Sequence, residues 1–527
     1  MNTTRRQFIK STAIGLGALS VPSFFTCSQL NSSRPNIVLI LVDDMGYSDL
    51  GCYGSEIHTP NIDQLANEGL RFSQFYNAAR CCPTRASLLT GLYPHQAGMG
   101  EMVKSPQNST AGVYQGYLND QCVTIAEVLK TAGYRTLMSG KWHVGESRPH
   151  WPTDRGFDRY FGLISGAANY FDISKSKSPN VVRQMALDDQ PYTPPKEGFY
   201  MTDAITQHAV DFLEQETENS NPFFLYVAYT APHWPLHALP EDIEKYRGKY
   251  REGWEVLRNR RYQKMVEMGL INPEWPLSPP DPEAMPWEDV PDKELMDLKM
   301  AVYAAQIDRM DQGVGKIMNK LREIGRAENT LVLFLSDNGA CHESGPLGFD
   351  NRNNGLPPGG VDSFMSYGRS WSNASNTPFR LHKHWVHEGG ISTPLIAWWP
   401  GKIQQPGTIT HQPGHIIDIM ATCCDVAKAK YPAKIDNKPI IPLEGKSLTA
   451  VFKGKTRKPH ETIYWEHLGN RAIRQGKWKL VSVNKGPWEL YDLEADRTEL
   501  KDLSTIYPAQ MKEMIRIYEK WAQKWGV

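Results

Sequence analysis

The chain runs to 527 residues, enough to bury a large core and to form two or more domains. Its 58 Lys and Arg match 58 Asp and Glu, and this zero net charge argues against a nucleic-acid binder, which needs a basic surplus. Eight cysteines with no C-x-x-C pair and no zinc-ligand spacing exclude a dense disulfide framework and a thiolate zinc site.

In chain order, residues 1–30 are set aside from the fold as an export signal. Thr4-Arg5-Arg6-Gln7-Phe8-Ile9-Lys10 resembles the twin-arginine consensus and precedes a modestly apolar run at 13–25. That run is shorter than the roughly 20 apolar residues a bilayer span needs. No later segment is long and apolar enough to span a membrane. The expectation is export of the folded protein to the periplasm or cell envelope. Cys27 follows the apolar run and is a candidate lipid-attachment site, although Phe24-Phe25-Thr26 matches the usual small-residue lipobox poorly.

Residues 36–42 (NIVLILV) are a continuous β-branched and leucine run. This predicts a strand covered on both faces, as in a parallel sheet. Shorter runs at 136–139, 223–228, 330–335 and 395–399 repeat the signal. Helical signals lie between them. Thr59-Pro60 supplies a cap and a first helical residue, with Gly69 as the stop. Thr124-x-x-Glu127 is a capping box. Residues 83–89 read as a helix start, and Cys423-Cys424 as small apolar residues on a buried helix. Residues 298–324 carry Ile307, Met310, Val314, Ile317, Met318 and Leu321 at helical spacing. The alternation predicts an α/β fold, with a large doubly wound, mostly parallel sheet domain over residues 35–430.

Pro432, Pro439 and Pro442 mark a linker-like stretch. Beyond it, runs at 462–465, 471–473, 478–483 and 488–492 predict a smaller C-terminal subdomain over 431–527. That subdomain is an antiparallel sheet with a closing amphipathic helix at 508–525. Residues 245–291 and 344–378 read as long irregular rims or lids. Trp254, Trp275 and Trp287 are expected to pack within the first of these.

The chemistry-bearing residues follow predicted strands. Asp43-Asp44 end the run at 36–42, and Asp337-Asn338 stand just past the run at 330–335. In open α/β sheets the ligand crevice lies beyond the carboxyl ends of the strands. Two oxygen-rich pairs delivered there suit a hard cation such as Ca²⁺ or Mg²⁺. Cys81-Cys82-Pro83-Thr84-Arg85 runs into Ala86-Ser87-Leu88-Leu89-Thr90-Gly91. Gly140-Lys141-Trp142-His143 follows 136–139, and Ala231-Pro232-His233-Trp234-Pro235 follows 223–228. Lys383 stands five residues before Glu388-Gly389-Gly390.

Taken in this order, these elements resemble the type I, formylglycine-dependent sulfatases of the alkaline phosphatase-like superfamily, and within them the bacterial arylsulfatase branch. The resemblance covers most of residues 35–527. It implies that Cys81, not Cys82, is the first residue of C-x-P-[ST]-R, oxidised by a formylglycine-generating maturation enzyme to 3-oxoalanine (Cα-formylglycine). It implies one divalent cation, Ca²⁺ before Mg²⁺, on Asp43, Asp44, Asp337, Asn338 and the modified Cys81. Arg85, Lys141 and Lys383 would neutralise sulfate charge while the hydrated aldehyde attacks sulfur and forms a covalent sulfate ester. His233 with Lys383 would protonate the leaving oxygen, and His143 would deprotonate the remaining hydroxyl to release sulfate. His382, His384 and His387 lie outside the pattern and are expected to be supporting or surface residues.

The implied substrate is a sulfated small molecule or glycan. Two other readings compete. One is a phosphonate or phosphate monoester hydrolase of the same superfamily, and the other is a non-catalytic glycan-binding relative, which would be expected to have lost part of this set. Replacing Arg5 and Arg6 together by lysine is expected to trap active enzyme inside the cell, read by fractionation with an aryl sulfate assay.

Overall fold

The computed structural model describes residues 34–104, 112–176 and 181–527. Arg5, Arg6 and Cys27, which carry the export and anchoring expectations, lie outside these residues. All eight residues of β1 (Asn36–Asp43) are buried. The pleat sends Ile37, Leu39 and Leu41 into one core layer and Val38, Ile40 and Val42 into the other. The run is apolar throughout because the strand has no solvent face.

The other strands of this sheet are β2 (Leu70–Tyr76), β3 (Arg135–Gly140), β4 (Arg159–Leu163), β5 (Met185–Leu187), β6 (Gln190–Tyr192), β7 (Phe223–Pro232), β8 (Thr330–Ser336), β9 (Ser392–Trp398), β10 (Thr408–Thr410) and β11 (Gly414–His415). Their spatial order is β10-β2-β9-β8-β1-β7-β3-β4-β5-β6, with β11 also beside β2. The central run β8-β1-β7-β3-β4 is parallel. β9 runs antiparallel to both β8 and β2, and β5 and β6 add an antiparallel edge. The sheet is therefore large, mixed and mostly parallel.

Helices cover both faces. Residues of Met201–Gln215 and of the 31-residue helix Lys293–Glu323 fill the layer that holds Val38. Cys81–Thr90, Ile125–Thr131 and Asp418–Ala427 fill the layer that holds Ile37. The capping box forms: Glu127 N donates to Thr124 Oγ1 at 3.1 Å, and Thr124 N to Glu127 Oε2 at 2.7 Å. Thr59 stands at the N-cap of Pro60–Glu68 but does not cap it through its side chain. Its hydroxyl instead accepts from Gly51 N and donates to Asp63. Cys423 and Cys424 are buried on their helix, as the sequence predicts.

Residues 245–291 are more ordered than their composition suggests, since they contain the helix Trp254–Glu267. Its buried face carries Arg258 and Arg261 among Trp254, Leu257 and Met265, so the apolar period is broken in sequence. Arg261 is buried because Asp49 and Glu56 meet it at 2.6 and 2.8 Å. Trp254 packs edge-on against Trp287 and against Trp371 from the second long stretch. Trp275 is also buried, with its Nε1 donating to the carbonyl of Glu494.

Toward the C-terminus, β12 (Lys434–Ile435) and β13 (Lys438–Pro439) form a short hairpin. β14 (Ile463–His467), β15 (Asn470–Gln475), β16 (Trp478–Ser482) and β17 (Glu489–Asp492) then form an antiparallel meander. The helix Pro508–Trp525 closes it, with Trp521 stacked on Tyr464 at 4.7 Å between ring centroids. Arg34–Val527 is one compact unit.

A buried charge network links the meander to the large sheet. Glu388 receives Lys479 Nζ, Arg497 Nε and Tyr76 Oη at 2.9, 2.9 and 3.1 Å, and Lys479 also meets Glu499 at 2.7 Å. The two cations overcome the effect of burial and hold the Glu388 carboxyl down at about 2. Removing one partner from such a cluster leaves an uncompensated buried charge. Lys479→Met is expected to lower unfolding free energy by about 3–5 kcal/mol, measured by denaturant unfolding followed by circular dichroism.

Candidate active site

β1 and β8 are adjacent and in parallel register, so their carboxyl ends arrive together. Asp337 N donates to Val42 O at 3.0 Å, and Asp44 N donates to Asp337 Oδ1 at 3.2 Å. Asp44 adopts φ 69°, a left-handed conformation that aspartate tolerates better than most residues. Asn338 Nδ2 donates to Asp44 Oδ1 at 2.7 Å.

The helix Cys81–Thr90 begins beside this cluster, with Cys81 as its first residue. Arg85, one turn along, is fully buried. Its Nη1 donates to the Lys141 carbonyl at 2.9 Å and its Nη2 to Asp337 Oδ2 at 3.0 Å, with Asp43 Oδ2 at 3.6 Å. Lys141 comes from the end of β3 and reaches Asp43 Oδ2 at 2.5 Å. His233 comes from the end of β7, with Nε2 3.3 Å from Asp44 Oδ2 and Nδ1 2.6 Å from the Trp234 carbonyl. Lys383 Nζ donates to Asp44 Oδ2 at 2.8 Å. Ligating atoms of Cys81, Cys82 and His143 lie within 4.8 Å of one another. The structure thus gathers every residue singled out from the sequence (Asp43, Asp44, Cys81, Arg85, Lys141, His143, His233, Asp337, Asn338 and Lys383) into one buried cluster at the carboxyl ends of β1, β3, β7 and β8.

The glycines after Glu388 are demanded by backbone approach. A Cβ on Gly389 would stand 2.3 Å from the Leu381 carbonyl, and one on Gly390 1.9 Å from that of Trp385. Glu388 itself faces the seam described above, so the motif's lysine and glutamate serve different places.

Electrostatics sort the groups. Burial alone would raise Asp43, but Lys141, His233 and Arg85 overcome it and hold the carboxyl below the usual range. Burial and then the Asp43 carboxylate push Asp337 well up, against the pull of Arg85. Burial and Lys141 bring His143 down to about 4, which keeps it neutral. Burial likewise lowers His233. Lys383 is driven up because the Asp44 carboxylate outweighs its own burial. A hydrogen bond with Cys82 lowers the Cys81 thiol, with burial opposing and Lys141 assisting.

These residues fit a divalent cation. Asp43 Oδ1 and Asn338 Oδ1 are buried without a hydrogen-bond partner, and both belong to the oxygen set. Three carboxylates crowd one another, and burial together with the Asp43 carboxylate raises Asp337. Carboxylate and amide oxygens select Ca²⁺ or Mg²⁺ over a thiophilic metal.

Some supporting residues carry no sequence signal. His382 is clamped between Asp281 Oδ2 at 2.9 Å and Ser372 Oγ at 2.8 Å, which fixes the loop bearing Lys383. Asp281 comes from the stretch read as irregular, so nothing in the sequence pairs it with His382. His387 is buried with Nε2 3.4 Å from Glu489, and His384 is partly exposed, its backbone N donating to the Ala79 carbonyl.

The Sulfatase profile matches residues 35–429, and the profile for the N-sulphoglucosamine sulphohydrolase C-terminal region matches 379–523. The chain belongs to the sulfatase family. It is 36% identical over 531 residues to an uncharacterized sulfatase of Schizosaccharomyces pombe, covering 95% of each chain. It is 35% identical over 437 residues to an arylsulfatase of Klebsiella aerogenes, covering 80% of this chain and 93% of that one. The crystal structure of Ps i-CgsB in complex with k-i-k-neocarrahexaose matches at TM-score 0.69 and 28% identity, covering 93% of each chain. This sulfatase is therefore a sulfuric ester hydrolase with an alkaline phosphatase-like fold.

Ca²⁺ added to the chelator-treated sulfatase is expected to raise its melting temperature, by about 2.7 kcal/mol of stabilisation at a hundredfold excess over Kd. Asp337→Ala is expected to abolish that shift in a thermal titration. An unchanged wild-type midpoint with both Ca²⁺ and Mg²⁺ would contradict the assignment.

Proposed function

We propose that this sulfatase hydrolyses sulfate monoesters with the formylglycine form of Cys81 as nucleophile and one divalent cation on Asp43, Asp44, Asp337 and Asn338. The observation that carries the reading is the position of Cys81. It opens a buried helix whose positive end favours an anion, beside Lys141, His143 and the acidic cluster. Formylglycine would supply a hydrated aldehyde, and the cation would supply Lewis-acid stabilisation of sulfate charge.

The chain's own residues supply the rest. Lys141 and Lys383 place preorganised positive charge where sulfate oxygens gather, in a site from which water is largely excluded. Arg85, tied to Asp337 and the Lys141 carbonyl, orients the acidic cluster against the helix start. Lys383, held protonated by Asp44, is the proton source for the leaving oxygen, with neutral His233 beside the same carboxylate. His143, neutral and next to position 81, accepts the proton whose removal lets sulfate depart. General acid–base groups of this kind are worth roughly 10²–10⁴-fold.

The similarity to an arylsulfatase, to an N-acetylgalactosamine-6-sulfatase of Canis lupus familiaris and to the neocarrahexaose complex supports aryl sulfates and sulfated carbohydrates as the substrate classes. A formylglycine-generating enzyme is the implied maturation partner. Export by the twin-arginine route is likewise proposed, on Arg5-Arg6 and the apolar run after them.

Peptide mass spectrometry of active enzyme is expected to find the carbonyl-reactive residue at position 81 and a thiol at 82. His143→Ala is expected to lower kcat by about 10²–10⁴-fold in an assay on 4-nitrophenyl sulfate. Faster turnover of 4-nitrophenyl phosphate than of the sulfate, or activity with an unmodified thiol at Cys81, would sink the reading.

A further inference from the structure

Above the buried cluster, three side chains from separate segments meet at the boundary with solvent. Arg80 immediately precedes Cys81 and is the N-cap residue of its helix. Its Nη2 meets Glu343 Oε1 at 3.0 Å. Trp234, directly after His233, donates from Nε1 to Glu343 Oε2 at 3.0 Å. The Trp234 ring is wedged between His233 and Phe349, at 4.6 and 5.2 Å between centroids. The side chains of Arg80 and Glu343 are 19% and 24% exposed, whereas that of Lys383 is 1% exposed. The pair therefore forms a lip and the lysine lies on the floor.

We propose that Glu343, steadied by Arg80 and Trp234, selects a hydroxylated, sugar-type leaving group for the sulfatase reaction. The proposal rests on the reading that Lys383 and His233 serve the leaving oxygen. Burial would raise the Glu343 carboxyl, but Lys383, Arg80 and His233 more than offset it and keep it ionised, at about 2. Its two partners, Arg80 next to Cys81 and Trp234 packed against His233, place the carboxylate beside the residues that serve the leaving oxygen. Each Glu343 oxygen spends one acceptor position on its protein partner and keeps another. Arg80 Nε is buried with no partner.

The lip thus offers fixed acceptors beside a guanidinium. A ring hydroxyl next to the sulfated carbon can donate to the carboxylate, while a neighbouring oxygen accepts from the arginine. An aryl ring offers neither group. A hydrogen bond to a charged acceptor corresponds to roughly 10–100-fold in kcat/KM. A paired lip is also electrically neutral, so it discriminates by hydroxyl geometry and not by net charge.

The test compares kcat/KM for 4-nitrophenyl sulfate and for a panel of hexoses monosulfated at each ring hydroxyl and at the primary alcohol. In wild-type enzyme at least one hexose sulfate is expected to be turned over. Glu343→Gln is expected to lower the hexose-to-aryl ratio of kcat/KM by roughly 10–100-fold. Glu343→Asp, which keeps the charge but withdraws the oxygens, is expected to move the ratio the same way. A merely structural Arg80–Glu343 pair would depress both substrates together, and a constant ratio in both variants overturns the proposal. A wild-type enzyme that turns over the aryl ester but no hexose sulfate overturns it too, with the sulfatase mechanism intact. A wild-type enzyme idle on every sulfate ester fails the parent mechanism and this proposal with it.

Discussion

The structure depends on one constraint: three carboxylates, Asp43, Asp44 and Asp337, share a buried space and must be matched by cations brought from elsewhere in the chain. Lys141, Lys383 and Arg85 do this from the end of β3, from the loop before Glu388 and from the first helix after β2. A buried carboxylate without such partners would neutralise or destabilise the fold. The parallel centre of the sheet, β8-β1-β7-β3, delivers Asp337, Asp43, His233 and Lys141 to that space from adjacent strand ends. Strands buried on both faces cannot slide without moving a whole row of side chains out of register.

The same arrangement makes the site receptive to an anion. The cations are engaged by the acidic cluster, yet they stand at a helix start that also favours negative charge. A sulfate monoester would meet charge already oriented, with little reorganisation left to do. The neutral histidines, His143 and His233, fit this picture, since burial and neighbouring lysines keep them as proton acceptors or relays.

Much of this was legible in the residues. The run at 36–42 announced a doubly covered strand, and the capping box at Thr124 and Glu127 formed as read. The four C-terminal runs became β14 to β17, with ends displaced by a few residues. Asp43, Asp44, Lys141, His143, His233, Asp337 and Asn338 follow strand ends, where chain direction brings them together, whereas Cys81, Arg85 and Lys383 were legible through the resemblance of their motifs. What stayed hidden has physical causes. β2 interrupts its apolar pattern with Arg71 and Gln74, and β5 and β6 are three residues each, too short for any period to show. The helix Trp254–Glu267 buries Arg261, matched by Asp49 and Glu56, and Arg258, which donates to Ser278, so its amphipathic stripe exists only in three dimensions. The Asp281–His382 and Glu343–Arg80 pairs join segments about a hundred or more residues apart, and no local pattern encodes them.

The burial of Cys81 bears on the order of events in the cell. Its side chain is all but sealed in the folded unit, so the proposed oxidation at this position would have to precede docking of the helix Cys81–Thr90. The loop bearing Lys383 runs into Glu388, whose counter-charges Lys479 and Arg497 are synthesised hundreds of residues after Cys81. At roughly 5–20 residues per second, that interval is on the order of tens of seconds. The seam between sheet and meander therefore cannot be completed until those residues have been made. Under the formylglycine proposal, that interval is the time available for oxidation at residue 81 before the seam is complete.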